Sequence, residues 1–388
     1  MQTTIRRAKR LCLLSTIALL PLFATAQQKG VTATEIKVGT LQDLSGPIAG
    51  PGKQTSNGMR MRVDDFNASG GAAGRKIKLF IEDSGYDPKK SVLATQKLIE
   101  NEGIFAMAGV LATAPSEASF PALLESNTLS FFPLTSARSA FEPTNRLKFA
   151  FLPTYFEQMR RAVPMLVQEK KPSKVCIIYQ DDDFGQEILK GTESALQGIK
   201  RELVEKTTYK RGATDFASQV VRMKAAGCDM VVLGTVVRET VGVMKEAKKN
   251  QFNPVFIGGP GAYSAAVHQL GGADVEGLYA TMSVEQPYLD VGSQELRTFA
   301  AKYKVRYGDE PTVFSSYGYS VMDSFIKVVE KVGPKLTTDS FIATLEKMTI
   351  PASFLGTDTM TFSATKRLGF ETVRMSQIQN GRWVVVLK

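Results

Sequence analysis

The chain has 388 residues, 43% of them hydrophobic and 22% charged, with a formal net charge of +10, three cysteines and one histidine. One histidine leaves no His pair for a metal or a proton relay, and so few cysteines cannot form a disulfide framework. Lys and Arg are scattered, with no basic stripe or interleaved aromatics, which argues against nucleic-acid binding.

The first 26 residues read as a secretory leader rather than as structure. Arg6, Arg7, Lys9 and Arg10 form a positive head, residues 11–24 ("LCLLSTIALLPLFA") an apolar core, and "ATA" ends at Ala26, where cleavage is expected. The apolar run is too short to span a bilayer, and no later segment reaches about 18 residues without charge. Cys12 lies at the start of that run, not just after it, which argues against a lipid anchor. Removing the leader takes four positive charges, leaving about +6 on about 360 residues. That length exceeds one ordinary core, so two domains are expected. Cys176 and Cys228 remain, each in or beside an apolar strand-like run ("KVCIIY", "CDMVVLG"). They read as two buried thiols, although export permits a disulfide.

Beyond the leader, short β-branched runs alternate with amphipathic helical stretches. "EIKVGTLQD" precedes a helix over residues 54–67, and "KIKLFIED" precedes "PKKSVLATQKLIENEG". "IFAMAGV" leads to a helix starting near Pro115, and "TLSFFPL" follows. After "FAFLPTY" the pattern restarts: "KVCIIYQ", a helix over 184–199, "ELVEKTTY", a helix over 215–226, "DMVVLG", a helix from Glu239, "PVFIGG" and a helix from Ala262. Such alternation predicts βαβ units and parallel sheets, arranged as two similar lobes. Helices over 293–332 and 340–348 then need a sheet to cover, which predicts a return to the first lobe. "TMTFS" and "SQIQNGRWVVVL", with its "NG" turn, read as antiparallel.

The stretch "SGPIAGPGKQTSNG" (residues 45–58) looks like a phosphate cradle and fails as one. The position five before Gly52 is Pro47, and Lys53 is followed by Gln54 rather than by Ser or Thr. It reads instead as a glycine-rich turn lining a cleft.

Ligands of open parallel sheets bind beyond the carboxyl ends of strands. In the first lobe those ends carry Thr113 and Ser116 at a helix start, then Leu134, Thr135 and Ser136. A helix start favours an anion, although Thr113 could equally be a plain N-cap. The second lobe offers Phe184, Val236, Val237, Arg238 and Tyr263. Hydroxyls on one side and apolar walls on the other suit a small organic anion clamped between lobes. Asp181, Asp182 and Asp183 could hold a cation but read as helix-capping carboxylates. His268 reads as a surface or core residue. No nucleophile–base pair, catalytic residue, metal site or cofactor site is predicted.

The segments "IKVGTLQDLSGPIAGPGKQTSNGMRMRVDDFNASGGAAGRKIKL", "EDSGYDPKKSVLATQKLI", "VCIIYQDDDFGQEI" and "TDFASQVVRMKAAGCDMVVLG", in this order, resemble the branched-chain amino-acid-type solute-binding proteins of bacterial ABC importers. The resemblance covers essentially the whole exported chain. It implies an α/β type I periplasmic binding fold: two doubly wound parallel-sheet lobes joined by a three-strand hinge. The expected division is residues 27–152 plus 283–355 for the amino-terminal lobe and 153–282 plus 356–388 for the carboxyl-terminal lobe. It further implies a monomeric periplasmic protein that delivers a small molecule to a membrane permease.

In the family, a hydroxyl after the third strand holds the ligand carboxylate, here Thr113, helped by the Leu134 carbonyl, Thr135 and Ser136. The aromatic of the second lobe matches Phe184. Several positions depart from the pattern. An aromatic of the first loop falls near Pro51, the acidic partner of an amino-acid ammonium falls on Gly261, and a tyrosine falls on Val236 or Val237. The cysteine pair of some members is absent, with Tyr86 and Ala112 near those places. A buried ammonium without a partner costs on the order of several kcal/mol. An α-amino acid should therefore bind poorly unless one of Asp181–Asp183 substitutes, and a carboxylate with an apolar or aromatic body, or another small uncharged or anionic metabolite, is expected. The competing readings are a binder of branched-chain or other apolar amino acids, a ligand-sensing component feeding a receptor, and an exported α/β enzyme.

Overall fold

The structure, a computed structural model, describes residues 28–387; the leader expected over residues 1–26 lies outside them. The first lobe runs β1 (Glu35–Gln42), α1 (Ala49–Ala68), β2 (Lys76–Asp83), α2 (Pro88–Lys97), β3 (Ala106–Ala108), α3 (Thr113–Glu125), β4 (Leu129–Phe131) and β5 (Lys148–Phe149). Its five strands are all parallel, in the order β2-β1-β3-β4-β5.

The second lobe repeats this plan: α4 (Tyr155–Lys170), β6 (Val175–Gln180), α5 (Asp183–Gly198), β7 (Leu203–Tyr209), α6 (Ala217–Ala225), β8 (Met230–Gly234), α7 (Val237–Lys249), β9 (Val255–Gly258), α8 (Ala265–Gly271) and β10 (Tyr279–Met282). The order β7-β6-β8-β9-β10 matches that of the first lobe strand for strand. Each sheet reverses its winding beside its first strand, and ligand crevices form at such switch points.

The chain then returns. α10 (Val313–Val332) and α11 (Thr338–Leu345) cover the first sheet, α10 lying along α1, and α9 (Gln294–Tyr307) packs on α1 and α10. Reciprocal glycines allow that approach: a Cβ on Gly58 would lie 2.0 Å from the Ser315 carbonyl oxygen, and one on Gly318 2.1 Å from that of Thr55. β11 (Thr349–Ile350) pairs antiparallel with β12 (Met360–Thr361). Finally β13 (Arg374–Gln379) and β14 (Arg382–Leu387) extend the second sheet as an antiparallel hairpin. Asn380 and Gly381 turn it with φ of 54° and 71°, as the "NG" pair predicts.

Three details differ from expectation. α1 begins at Ala49 rather than Gln54, so "AGPGKQ" is the first turn of a helix and not a free loop. Asp43 launches it by accepting from the backbone N–H groups of Ser45 and Ile48 (3.2 and 2.8 Å), and Pro51 is tolerated because first-turn N–H groups have no helical acceptor. Residues 356–369, expected in the second lobe, pack on the first: the Phe362 ring lies 5.6 Å from Phe132 and 5.5 Å from Phe149, and buried Arg367 pairs with Glu346 at 2.9 Å. The crossing therefore falls after residue 369. Cys176 and Cys228 are joined as a disulfide rather than being free thiols. The β6–β8 register places their Cα atoms 5.9 Å apart, within bridging distance.

The chain thus passes between lobes near residues 150–154, 283–293 and 370–373. Arg374 Nη1 ties two of these passages by donating to the carbonyls of Ser283 (2.8 Å) and Gly356 (3.1 Å). Among the described residues, no helix is long and apolar enough to cross a membrane.

Candidate functional site

A cavity lies between the lobes at the carboxyl edges of both sheets, with about 640 Å³ free of protein atoms, its mouth included. Six helices aim their first turns at it. Pro51 comes from α1, Thr113 from α3, Tyr155 from α4, Phe184 from α5, Val237 from α7 and Phe314 from α10. Helix amino termini carry partial positive charge from their unsatisfied N–H groups. The lining itself contains no Asp, Glu, Lys, Arg or His. The lining is thus apolar and uncharged, although the N-cap side chains of Thr154, Asp182 and Thr312 already take up N–H groups of α4, α5 and α10.

Its polar floor comes from the first lobe. Thr113 is the first residue of α3, behind Ala112 as N-cap with φ 76°, so its hydroxyl does not cap the helix. Instead Thr113 Oγ1 shares a hydrogen bond with Thr135 Oγ1 at 2.8 Å. Thr135 Oγ1 accepts from the Ala137 N–H (3.1 Å), and Ser136 Oγ accepts from Gln158 Nε2 (3.2 Å). One proton of the Thr113–Thr135 pair is spent between them, so that pair keeps one to donate, and Ser136 keeps its own. The Leu134 carbonyl already accepts from the Ala112 N–H at 3.1 Å, so only its second lone pair is open.

The walls are aromatic and aliphatic. Phe184 meets Tyr155 edge to face, with centroids 5.1 Å apart. Burial pushes the Tyr155 phenol above its ordinary range, opposed by the Thr135 and Thr113 hydroxyls. Val236, Gly261 and Pro51 also face the cavity. A Cβ on Gly261 would lie 3.0 Å from the Thr235 carbonyl, 3.2 Å from the Phe184 ring and 3.4 Å from Val236. Glycine there makes room for the Phe184 ring and leaves no carboxylate.

Two predicted site residues lie elsewhere. Arg238 is exposed and lines no part of the cavity, because α7 turns Val237 inward and the next side chain outward. Tyr263 is buried behind Gly261 against Trp383 (5.0 Å), its hydroxyl accepting from the Gln286 N–H at 2.8 Å. None of the three aspartates replaces the missing acid. Asp181 pairs with Lys210, Asp182 pairs with Arg211 at 2.6 Å, and Asp183 is exposed outside the cavity. No group of three or more potential metal ligands occurs among the described residues.

Tyr86, Tyr155, Phe314 and Tyr317 line the cavity but were not expected there. The start of α4 just after the first crossing could have flagged Tyr155; the others depend on tertiary packing.

Just outside, Glu117 of α3 accepts from Ser139 Oγ (2.6 Å) and faces Asp183 across the lobe gap, with Asp182 farther off. Burial, then these aspartates, push its carboxyl up to about 7, from an ordinary 4.5. Closure that raises a carboxyl pKa takes up a proton, so it is favoured at low pH and weakened as pH rises towards 7. Ligand affinity should fall between about pH 4.5 and 7 and level off above. Titration calorimetry across that range checks this, and Glu117→Gln should flatten the profile.

A closable two-lobed ligand-binding protein is the class that this fold and cavity define. Residues 35–382 match the periplasmic binding protein family, and the chain belongs to it. It is 25% identical over 315 residues to Leu/Ile/Val-binding protein homolog 7 of Brucella melitensis, covering 78% of this chain and 77% of that protein. Among solved structures, a branched-chain amino acid ABC transporter protein from Thermus thermophilus with bound valine superposes with a TM-score of 0.82 at 16% identity, covering 92% and 97% of the two chains. An ABC transporter solute-binding protein from R. palustris in complex with benzoate gives 0.80 at 18% identity, covering 90% and 95%.

Proposed function

We propose that this protein is exported through a leader cleaved after Ala26, captures a small carboxylate with an apolar or aromatic body, and delivers it as a monomer to an ABC permease. The observation that carries the ligand class is the cavity itself. Six helix amino termini converge on a lining with no charged side chain. A carboxylate gains from the start of α3, which has no side-chain cap, and from the hydroxyls of Thr113, Thr135 and Ser136. An ammonium meets no acid to pair with. Phe184, Tyr155, Val236 and Pro51 would hold the apolar body, and the benzoate-bound neighbour shows that a fold of this kind accommodates an aromatic acid.

The second reading, an apolar amino acid, draws on the Leu/Ile/Val-binding relative and the valine-bound neighbour. We read the chain as a binder rather than a catalyst, because no nucleophile–base pair lines the cavity. A thermal-unfolding screen of ligand-stripped protein separates the readings. Aromatic and aliphatic acids should raise the unfolding temperature by several degrees while leucine and valine leave it unchanged. The reverse pattern contradicts the proposal.

A further inference from the structure

Tyr86 is the first-lobe member of a contact that spans the two lobes. It follows β2 in a left-handed backbone conformation, φ 56°, and its N–H donates to Ser84 Oγ at 3.2 Å. Such a conformation is strained for a bulky residue and persists only where the surroundings enforce it. Its ring is 3% exposed and forms part of the cavity wall.

The other side of that ring belongs to the second lobe. The Arg211 guanidinium, from the loop after β7, sits 4.6 Å from the ring centroid. Arg211 Nη1 donates to the Tyr86 carbonyl at 3.3 Å, and Gln180 Nε2 donates to the Tyr86 hydroxyl at 3.0 Å. Arg211 is itself aimed by Asp182, whose Oδ2 accepts from Arg211 Nη2 and from Gln180 Nε2, both at 2.6 Å. Asp182, Gln180 and Arg211 all belong to the second lobe, so they stay assembled when the lobes part. Within this group, the contacts to Tyr86 are the ones that cross the gap.

We infer that Arg211 is the latch of the closed protein: a positioning residue that touches no ligand, holds the lobes shut by gripping Tyr86, and so sets how long a captured solute stays. The inference rests on capture by lobe closure, as proposed above. A second tie across the gap comes from Arg138, which pairs with Glu187 at 3.1 Å and sits 5.1 Å from the Phe156 ring centroid, and it stays in place when Arg211 is replaced. Desolvated cation–π and charge-assisted contacts of this kind correspond to about a tenfold effect.

The test has a ligand-free arm and a ligand arm. Spin labels at Leu93→Cys and Val221→Cys, 67% and 51% exposed in opposite lobes, report the interlobe distance in protein without ligand. Wild type should show a closed population that Arg211→Met removes and Arg211→Lys partly restores. With benzoate as probe, Arg211→Met should speed dissociation about tenfold and leave association within twofold. Benzoate failing to bind wild type would count against the proposed ligand class, while the distance measurement would still decide the latch. An unchanged distance distribution in Arg211→Met, or a ligand-free wild type that is open throughout, overturns the inference. So does a loss of affinity accompanied by a fall of several degrees in ligand-free unfolding temperature, which would make Arg211 merely structural.

Discussion

Thr113→Ala is expected to weaken binding of an organic carboxylate by about 10- to 100-fold, the range for losing one hydrogen bond to a charged group. Thr113 opens α3 without capping it, and its hydroxyl is tied to Thr135 Oγ1 at 2.8 Å. The substitution therefore breaks the hydroxyl pair that faces the ligand and removes the partner that orients Thr135. It should cost little in folding, since Thr135 Oγ1 keeps its bond from the Ala137 N–H. Calorimetric titration alongside ligand-free unfolding separates the two effects. An unchanged dissociation constant would remove Thr113 from the site.

Removing the Cys176–Cys228 bridge should lower the stability of the second lobe by about 2–4 kcal/mol, as expected for a crosslink that closes a long loop. The bridged cysteines are 52 residues apart in sequence and clamp the amino ends of two neighbouring strands. Gln180, at the cavity end of β6, is about 13 Å further along the strand from Cys176. A Cys176→Ala/Cys228→Ala variant should thus unfold at lower urea concentration while keeping its ligand affinity. An unchanged midpoint contradicts the expectation. A changed affinity would mean that strain is transmitted along the strand.

Much of this architecture is legible in the chain, because alternating apolar runs and amphipathic helices admit few parallel topologies. The rule that ligands sit beyond strand carboxyl ends brought Thr113, Leu134, Thr135, Ser136, Phe184, Val236 and Gly261 to one cavity. The rule fails at the scale of a single residue. Arg238 follows a strand just as Val236 does, but the phase of α7 turns it to solvent. Tyr263 follows the β9 turn, yet packing against Trp383 draws it into the core.

Other features depend on tertiary geometry that no local pattern encodes. The disulfide needs the β6–β8 register, since both cysteines sit in apolar runs that read equally well as buried thiols. Tyr86 and Ala112 stand near the places of a family cysteine pair, but nothing local announces that both have left-handed backbones facing the cavity. Residues 356–369 carry strand-like and polar pieces, and only the phenylalanine cluster around Phe132 and Phe149 assigns them to the first lobe. The convergence of six helix starts emerges only when both lobes close.

The central claim is that this cavity selects a carboxylate and rejects an ammonium. A matched pair isolates that one difference: 4-methylpentanoate is leucine without its amino group. Isothermal titration of ligand-stripped protein with each, in the same buffer at pH 7, measures it. The deaminated acid should bind at least about tenfold more tightly than leucine, consistent with an unpaired ammonium in a site that lacks an acid. Leucine binding as tightly as the acid, or more tightly, would contradict the account.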